Sequence, residues 1–121
     1  MNKFSARKVT LDGIEFASQA EANRYSQLKL LERARQIKAL AVHPKYPLKV
    51  NSVLIGVYTA DFVYFEGGRQ IVEDVKGLIT SEASLRMRVF MALYPTHELR
   101  IVDRKGGWER FKQRTVARVA A

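Results

Sequence analysis

Asp61, Asp74 and Lys76 are the residues of this chain whose types and spacing best fit shared chemistry. They lie in the run from Tyr58 to Lys76, where two stretches rich in β-branched and aromatic residues flank Gly67-Gly68. Such a Gly-Gly pair reads as the two-residue turn of a β-hairpin. The turn pairs Glu66 with Arg69, Phe65 with Gln70, Val63 with Val72 and Asp61 with Asp74, and sets Lys76 opposite Thr59. Side chains alternate across a strand, so Asp61, Asp74 and Lys76 project from one face. Opposed like charges destabilise a sheet by up to roughly 1 kcal/mol, with side chains about 5 Å apart. A divalent cation is the simplest compensation. The plainer reading makes both aspartates solvated surface residues, with Lys76 as their ion-pair partner. Val63, Phe65 and Val72 share the face and argue that it is covered, and buried carboxylates without partners are costly. Glu73 points to the opposite face, among Phe62, Ile71 and Val75, and reads as structural.

The surrounding elements must position that hairpin. Val9-Thr10-Leu11 and Ile14-Glu15-Phe16 flank Asp12-Gly13 as a small leading hairpin. Ser18 followed three residues later by Glu21 is a capping box. It opens a helix to about Gln36, with Tyr25, Leu28, Leu31 and Ile37 as its apolar side. Ala39 to Val50 is extended, and His43-Pro44 and Tyr46-Pro47 keep it from a central ladder position. Val53 to Phe65 and Gln70 to Lys76 form the two strands of the hairpin. Thr80 or Ser81 caps a second helix from Glu82 to about Leu93, stopped by Tyr94-Pro95. Glu98 to Val102 is a short strand, and Gly106-Gly107 opens a basic C-terminal helix from about Trp108. The fold class is α/β: one domain over residues 1–121, a sandwich around a small mixed, largely antiparallel sheet flanked by helices.

Composition narrows the partners. The 121 residues carry 21 Lys plus Arg against 12 Asp plus Glu, a net charge of +9. That bias points to a polyanion, most simply nucleic acid, with solubility charge as the bland alternative. There is no cysteine, so neither a disulfide nor a thiolate metal site is available. The N-terminal run lacks a secretory apolar core, and no apolar stretch reaches membrane-spanning length. The expectation is a cytoplasmic protein with no membrane partner. Tyr46, Tyr58 and Tyr64 read as packing residues, and His43 and His97 have no spacing that suggests a metal or base site.

Asp61, then Asp74-Val75-Lys76 on the adjoining strand, resembles the PD-(D/E)XK signature of the restriction-endonuclease-like superfamily. Ala60 stands where the signature has proline. Phe16-Ala17-Ser18 with Glu21, Tyr58-Thr59-Ala60-Asp61-Phe62, Val72 to Gly77, and Tyr94-Pro95 are similar to a family of small phage-encoded members. The resemblance covers Phe16 to Pro95, about two thirds of the chain. It implies a Mg²⁺-dependent endodeoxyribonuclease, with Mn²⁺ as a substitute and a phage-infected or prophage-bearing bacterial host. The implied metal ligands are Asp61, Asp74 and the Val75 carbonyl, with Glu21 as the further acidic residue that such proteins carry in the first helix. Glu21 equally has the capping role as its whole explanation. Lys76 is the remaining catalytic residue, better suited to electrostatic stabilisation than to general base work, because carboxylates keep an ammonium charged.

Arg86 and Arg88 fall in the helix that flanks this site in the superfamily. One of them, not both, can reach a phosphate, since i and i+2 diverge by about 200° on a helix. Arg7 and Lys8, with Lys105 in the cluster Arg104, Lys105, Arg110, Lys112, Arg114 and Arg118, complete the candidate DNA-binding residues. A chain this short has no room for a separate specificity domain. Holliday-junction resolvases are similar in size and layout and act as dimers, which implies branched or junction DNA, a homodimer, and a role in phage recombination or replication. The alternative is a non-catalytic nucleic-acid-binding protein that keeps the fold.

Overall fold

The computed structural model describes residues 7–103 and 112–115, with the side chains of Asp103 and of 112–115 excepted. The leading hairpin forms as expected, β1 (Val9–Leu11) with β2 (Ile14–Phe16). Its turn has φ of +52° at Asp12 and +76° at Gly13, the two positive values that a primed turn demands. Helix α1 (Gln19–Arg33) is capped by Ser18, whose side chain accepts the Glu21 N–H. It ends three residues before the expected Gln36, because Arg35 takes a left-handed φ of +62° and turns the chain so that Ile37 still reaches the core. A non-glycine residue in that role leaves no sequence signal.

Strands β3 (Lys38–Val42), β4 (Lys45–Val50), β5 (Val53–Thr59), β6 (Phe62–Glu66) and β7 (Arg69–Lys76) follow. Next come helix α2 (Ser81–Leu93), β8 (His97–Asp103) and β9 (Lys112–Thr115). The main sheet has the order β3-β6-β7-β8-β9, and β4-β5 is a separate two-stranded ribbon. Among the described strands only β7 and β8 pair in parallel, joined through α2. The sheet is therefore mixed and largely antiparallel, β3 stands at its edge, and Pro47 lies in the separate two-stranded ribbon, away from any central ladder position. Among the described residues, no helix is long and apolar enough to cross a membrane.

Each face of the sheet is covered by a helix and a ribbon. Phe62, Tyr64, Ile71, Val75 and Val102 pack with Phe16, Leu28 and the rest of the α1 side. Val72, Leu99 and Ile101 pack with Tyr58, Met87 and Phe90 on the α2 and β4-β5 side. Glu73 is wholly buried on the α1 side, where Arg24 donates to it through Nε at 2.8 Å and Nη2 at 2.7 Å and the Tyr64 hydroxyl also donates. That agrees with a structural role.

Three expectations need correction. The strand expected to run unbroken from Val53 to Phe65 is two strands, interrupted at Ala60-Asp61. Its halves have different partners, β5 with β4 and β6 with β3 and β7, so the chain must bend where it changes sheets. Residues Lys112–Thr115, expected in a C-terminal helix, form a strand antiparallel to β8. The exposed edge of β8 offers them a ladder, and ladder pairing overrides local propensity. The rest of that expected helix lies outside the described residues. Finally, the face shared by Val63, Phe65 and Val72 is covered only in part, since Phe65 is exposed while Val72 is buried.

Candidate active site

The hairpin register is as the glycines dictate, from Glu66 opposite Arg69 to Phe62 opposite Glu73. Gly67 and Gly68 have φ of +58° and +80°, again a primed turn whose twist matches the strands. The ladder then stops. Asp61 does not form a rung with Asp74; it lies in the bend, and its N–H donates to the Glu73 carbonyl at 3.0 Å. Nor does Lys76 face Thr59, which pairs with Lys45 across the β4-β5 ribbon. The carboxylates meet by a different route. Asp61 Oδ2 accepts the Val75 N–H at 2.7 Å, which holds its side chain against the strand carrying Asp74 and Lys76. Glu73 and Val75 both turn their backbone groups toward β6, and the alternation of a strand sends the Val75 carbonyl the same way. There β6 has not yet begun, so strand geometry puts that carbonyl on the side of Asp61 with no ladder partner required of it.

Asp74 is buried on the α2 side, and its Oδ2 accepts the Tyr58 hydroxyl at 2.5 Å. Lys76 Nζ lies 3.9 Å from Asp74 Oδ1 and is about one-third exposed, so it pairs with the carboxylate while reaching solvent. From the other side of the sheet, the first turn of α1 delivers Glu21. One carboxylate oxygen of Glu21, one of Asp61 and a ring nitrogen of His43 lie within 4.8 Å of one another. Glu21 keeps its capping role as well: Oε2 accepts the Ser18 hydroxyl at 3.3 Å and its own N–H donates back to Ser18 Oγ at 3.2 Å. The two roles expected as alternatives for Glu21 are thus compatible.

Electrostatics set Asp61 apart. Burial, then the charge of Asp74 and then that of Glu21, push its carboxyl up to about 9, against the pull of the Val75 N–H in the other direction. Without a bound cation, the Asp61 carboxyl is therefore the one that favours keeping its proton at neutral pH. Tyr58 is raised by its own burial first and by Asp74 second, so it remains a neutral donor to that carboxylate. Three carboxylates and a backbone carbonyl are hard oxygen donors, and with one ammonium beside them they leave excess negative charge. Such a set fits Mg²⁺ or Mn²⁺, which need few protein ligands and keep several waters. Asp61, Asp74, the Val75 carbonyl and Glu21 are the groups that would hold it.

Two contributors were not anticipated. His43, set aside for want of spacing, is brought to Glu21 and Asp61 by the β3–β4 turn. Its N–H donates to the Asp61 carbonyl at 2.9 Å, and its ring packs on Phe16 with centroids 5.8 Å apart. Tyr58, expected only to pack, is also the hydrogen-bond partner of Asp74. The only available signal for either is adjacency to a strand end, which is too common to single them out.

The basic residues are less gathered. Arg86 and Arg88 are exposed on α2 and are held along their own helix, by Glu82 at 3.0 Å and Ser84 at 3.4 Å. Arg7 and Lys8 are exposed before β1, and Lys8 lies 3.7 Å from Glu15. Lys105, with Arg104, Arg110 and Arg118, lies outside the described residues.

The fold and site together define a small α/β protein whose sheet gathers three carboxylates and a lysine where two strands meet. Residues 1–106 match the family described as Protein of unknown function (DUF1064), and the chain belongs to it. No curated protein and no solved structure matches the chain.

Proposed function

We propose that this protein is a metal-dependent endodeoxyribonuclease that hydrolyses phosphodiester bonds in DNA. The observation that carries the reading is that Asp61, at the end of the β6-β7 ladder, feels the charges of both Asp74 and Glu21, with Lys76 3.9 Å from Asp74. A binding module has no use for buried carboxylates that repel phosphate, so this arrangement favours catalysis over the non-catalytic alternative. The cation, Mg²⁺ with Mn²⁺ as substitute, supplies Lewis acidity and lowers the pKa of a bound water. Asp61 and Asp74 supply its charge partners, and the Tyr58 hydroxyl fixes the Asp74 rotamer. Lys76, partly exposed beside Asp74, offers its ammonium to the charge that develops on the scissile phosphate. Glu21 adds negative charge next to Asp61 and orients within its cap.

The net charge of +9 supports DNA as the partner. Nothing in the sequence resembles a base-reading motif, so shape is the property proposed to be recognised, and branched or junction DNA is the proposed substrate. It is bound by a homodimer acting in phage recombination or replication in the cytoplasm of a bacterial host. A panel of linear, flapped and four-way DNA of unrelated sequence, incubated with Mg²⁺, Mn²⁺ or chelator, tests the reading. Expected are metal-dependent cuts favouring branched substrates, and binding whose log K falls with log[salt] at about −0.9 per phosphate contact. Tight, salt-sensitive binding with no cleavage of any substrate would instead establish the non-catalytic alternative. Equal affinity for branched and linear DNA at one salt concentration removes the junction specificity.

A further inference from the structure

We propose that His43 is a cation ligand, and that Glu21, His43 and Asp61 form a mixed imidazole–carboxylate position that prefers a transition-metal dication such as Co²⁺ or Zn²⁺ to Mg²⁺. One donor atom from each residue lies within 4.8 Å of the other two. Bonds of about 2.0–2.2 Å to one centre bring donors to within roughly 4.4 Å of each other, a closure that side-chain rotation can supply. The three residues come from α1, the β3–β4 turn and the β5–β6 bend, and each is half-buried.

The frame around His43 holds its imidazole toward the carboxylates. The His43 backbone N–H donates to the Asp61 carbonyl at 2.9 Å, and next to it the Ala60 N–H donates to the Pro44 carbonyl at 3.1 Å. These two bonds tie residues 43–44 to residues 60–61, so the imidazole and the Asp61 side chain ride on one clamped pair of turns. Phe16, with its ring centroid 5.8 Å from that of His43, limits the swing of the ring. Imidazole nitrogen suits Zn²⁺, Co²⁺ and Ni²⁺, whereas Mg²⁺ demands oxygen. The Asp61, Asp74, Val75 and Glu21 oxygens therefore serve the hard cation, and Glu21 and Asp61 serve the softer one where the His43 nitrogen joins them. The proposal rests on Glu21 and Asp61 being metal-site residues, as in the proposed function, and not on nuclease activity.

Calorimetric titration of the metal-free full chain with CoCl₂, ZnCl₂ and MgCl₂ tests it, with Co²⁺ also followed by its visible absorption. Wild type binds Co²⁺ more tightly than Mg²⁺. His43→Asn removes the imidazole while keeping a side chain that tolerates the left-handed backbone of φ +56°. It is expected to weaken Co²⁺ by roughly tenfold or more, since even an outer partner of a ligand is worth that much. Its visible bands shift, and Mg²⁺ affinity moves far less. The chain has two histidines, so proton NMR of the Co²⁺-loaded His97→Gln protein supplies a readout that needs no change at His43. A strongly shifted imidazole N–H resonance there supports the proposal. Unchanged Co²⁺ affinity and spectrum in His43→Asn, equal weakening of Mg²⁺ and Co²⁺, or no shifted imidazole resonance overturns it. A chain that binds Co²⁺ through His43 but cuts no DNA fails the nuclease reading alone. One that cuts DNA with Mg²⁺ yet shows no His43-dependent Co²⁺ binding fails only this inference.

Discussion

Asp61 is bonded to the peptide group that joins Asp74 to Val75: its Oδ2 accepts the Val75 N–H at 2.7 Å. That bond, and not a rung of the ladder, holds one carboxylate against the other. It also explains how the site tolerates them. The N–H offsets part of the burial, but burial and the charges of Asp74 and Glu21 outweigh it and push the Asp61 carboxyl up to about 9, so a proton on Asp61 relieves the rest.

The raised Asp61 makes metal-free stability depend on pH. An aspartate has an ordinary value of 3.8, and in the folded protein this one rises to about 9. Between those values folding takes up a proton, so the stability Asp61 contributes is complete below the ordinary value and is lost as pH rises toward 9. In chelator, wild type should melt at progressively lower temperature from about pH 5 to 9, and Asp61→Asn should give a flatter curve that lies above it at alkaline pH. Thermal melts of both proteins across that range check this; parallel curves would show that Asp61 does not hold the proton.

Removing a site carboxylate should separate catalysis from folding. Asp61→Ala, Asp74→Ala and Lys76→Ala are each expected to lower metal-dependent cleavage by about 100-fold or more, comparable to losing one positioned electrostatic group. DNA binding should persist, and tighten where a carboxylate that repels phosphate is gone. Cleavage rates and binding isotherms on one substrate check this, and wild-type cleavage by Asp74→Ala would sink the assignment.

Glu21 carries two roles that one substitution can divide. Its Oε2 accepts the Ser18 hydroxyl, and a glutamine amide oxygen can do the same, so Glu21→Gln should keep nearly all thermal stability. The metal role needs the charge, so that variant should lose most cleavage and require a higher metal concentration. Glu21→Ala should lose both, with about 0.5–2 kcal/mol from the damaged cap. If Glu21→Gln cleaves like wild type, the cap is its whole function.

Glu73 should behave in the opposite way from Asp61, although only one rung separates them. It is buried and pairs with Arg24 at 2.7 Å. Burial works against the Arg24 charge, but the hydrogen bonds and charge of Glu73, with a smaller contribution from Tyr64, together outweigh it and leave the guanidinium raised. Glu73→Ala strands that cation and should destabilise the protein by about 3–5 kcal/mol at neutral pH, with or without metal. Replacing both partners with apolar residues, Arg24→Met with Glu73→Leu, should recover much of the loss. Denaturant titrations of the single and double variants measure this, and a double variant no more stable than Glu73→Ala would contradict it.

Local chemistry decided much of this protein on its own. Gly67-Gly68 and Asp12-Gly13 specify primed turns, and a primed turn fixes hairpin register, so Val63 meets Val72 with no help from the rest of the chain. Ser18 and Thr80 mark both helix starts, because a cap satisfies amides only a few residues away. The same locality made Asp74 and Lys76 neighbours on one face of a strand. What it left open is everything set by partners distant in the chain. The bend at Ala60-Asp61 exists because β5 and β6 belong to different sheets, and β9 is a strand because the edge of β8 pairs with it. That bend turns Asp61 off the ladder and onto the Val75 amide, and it brings His43, Glu21 and Tyr58 within reach of the two aspartates. Only tertiary structure could decide that set, since its members come from α1, the β3–β4 turn, β5, the β5–β6 bend and β7, and a side chain's spacing in sequence says nothing about which strand end it will meet.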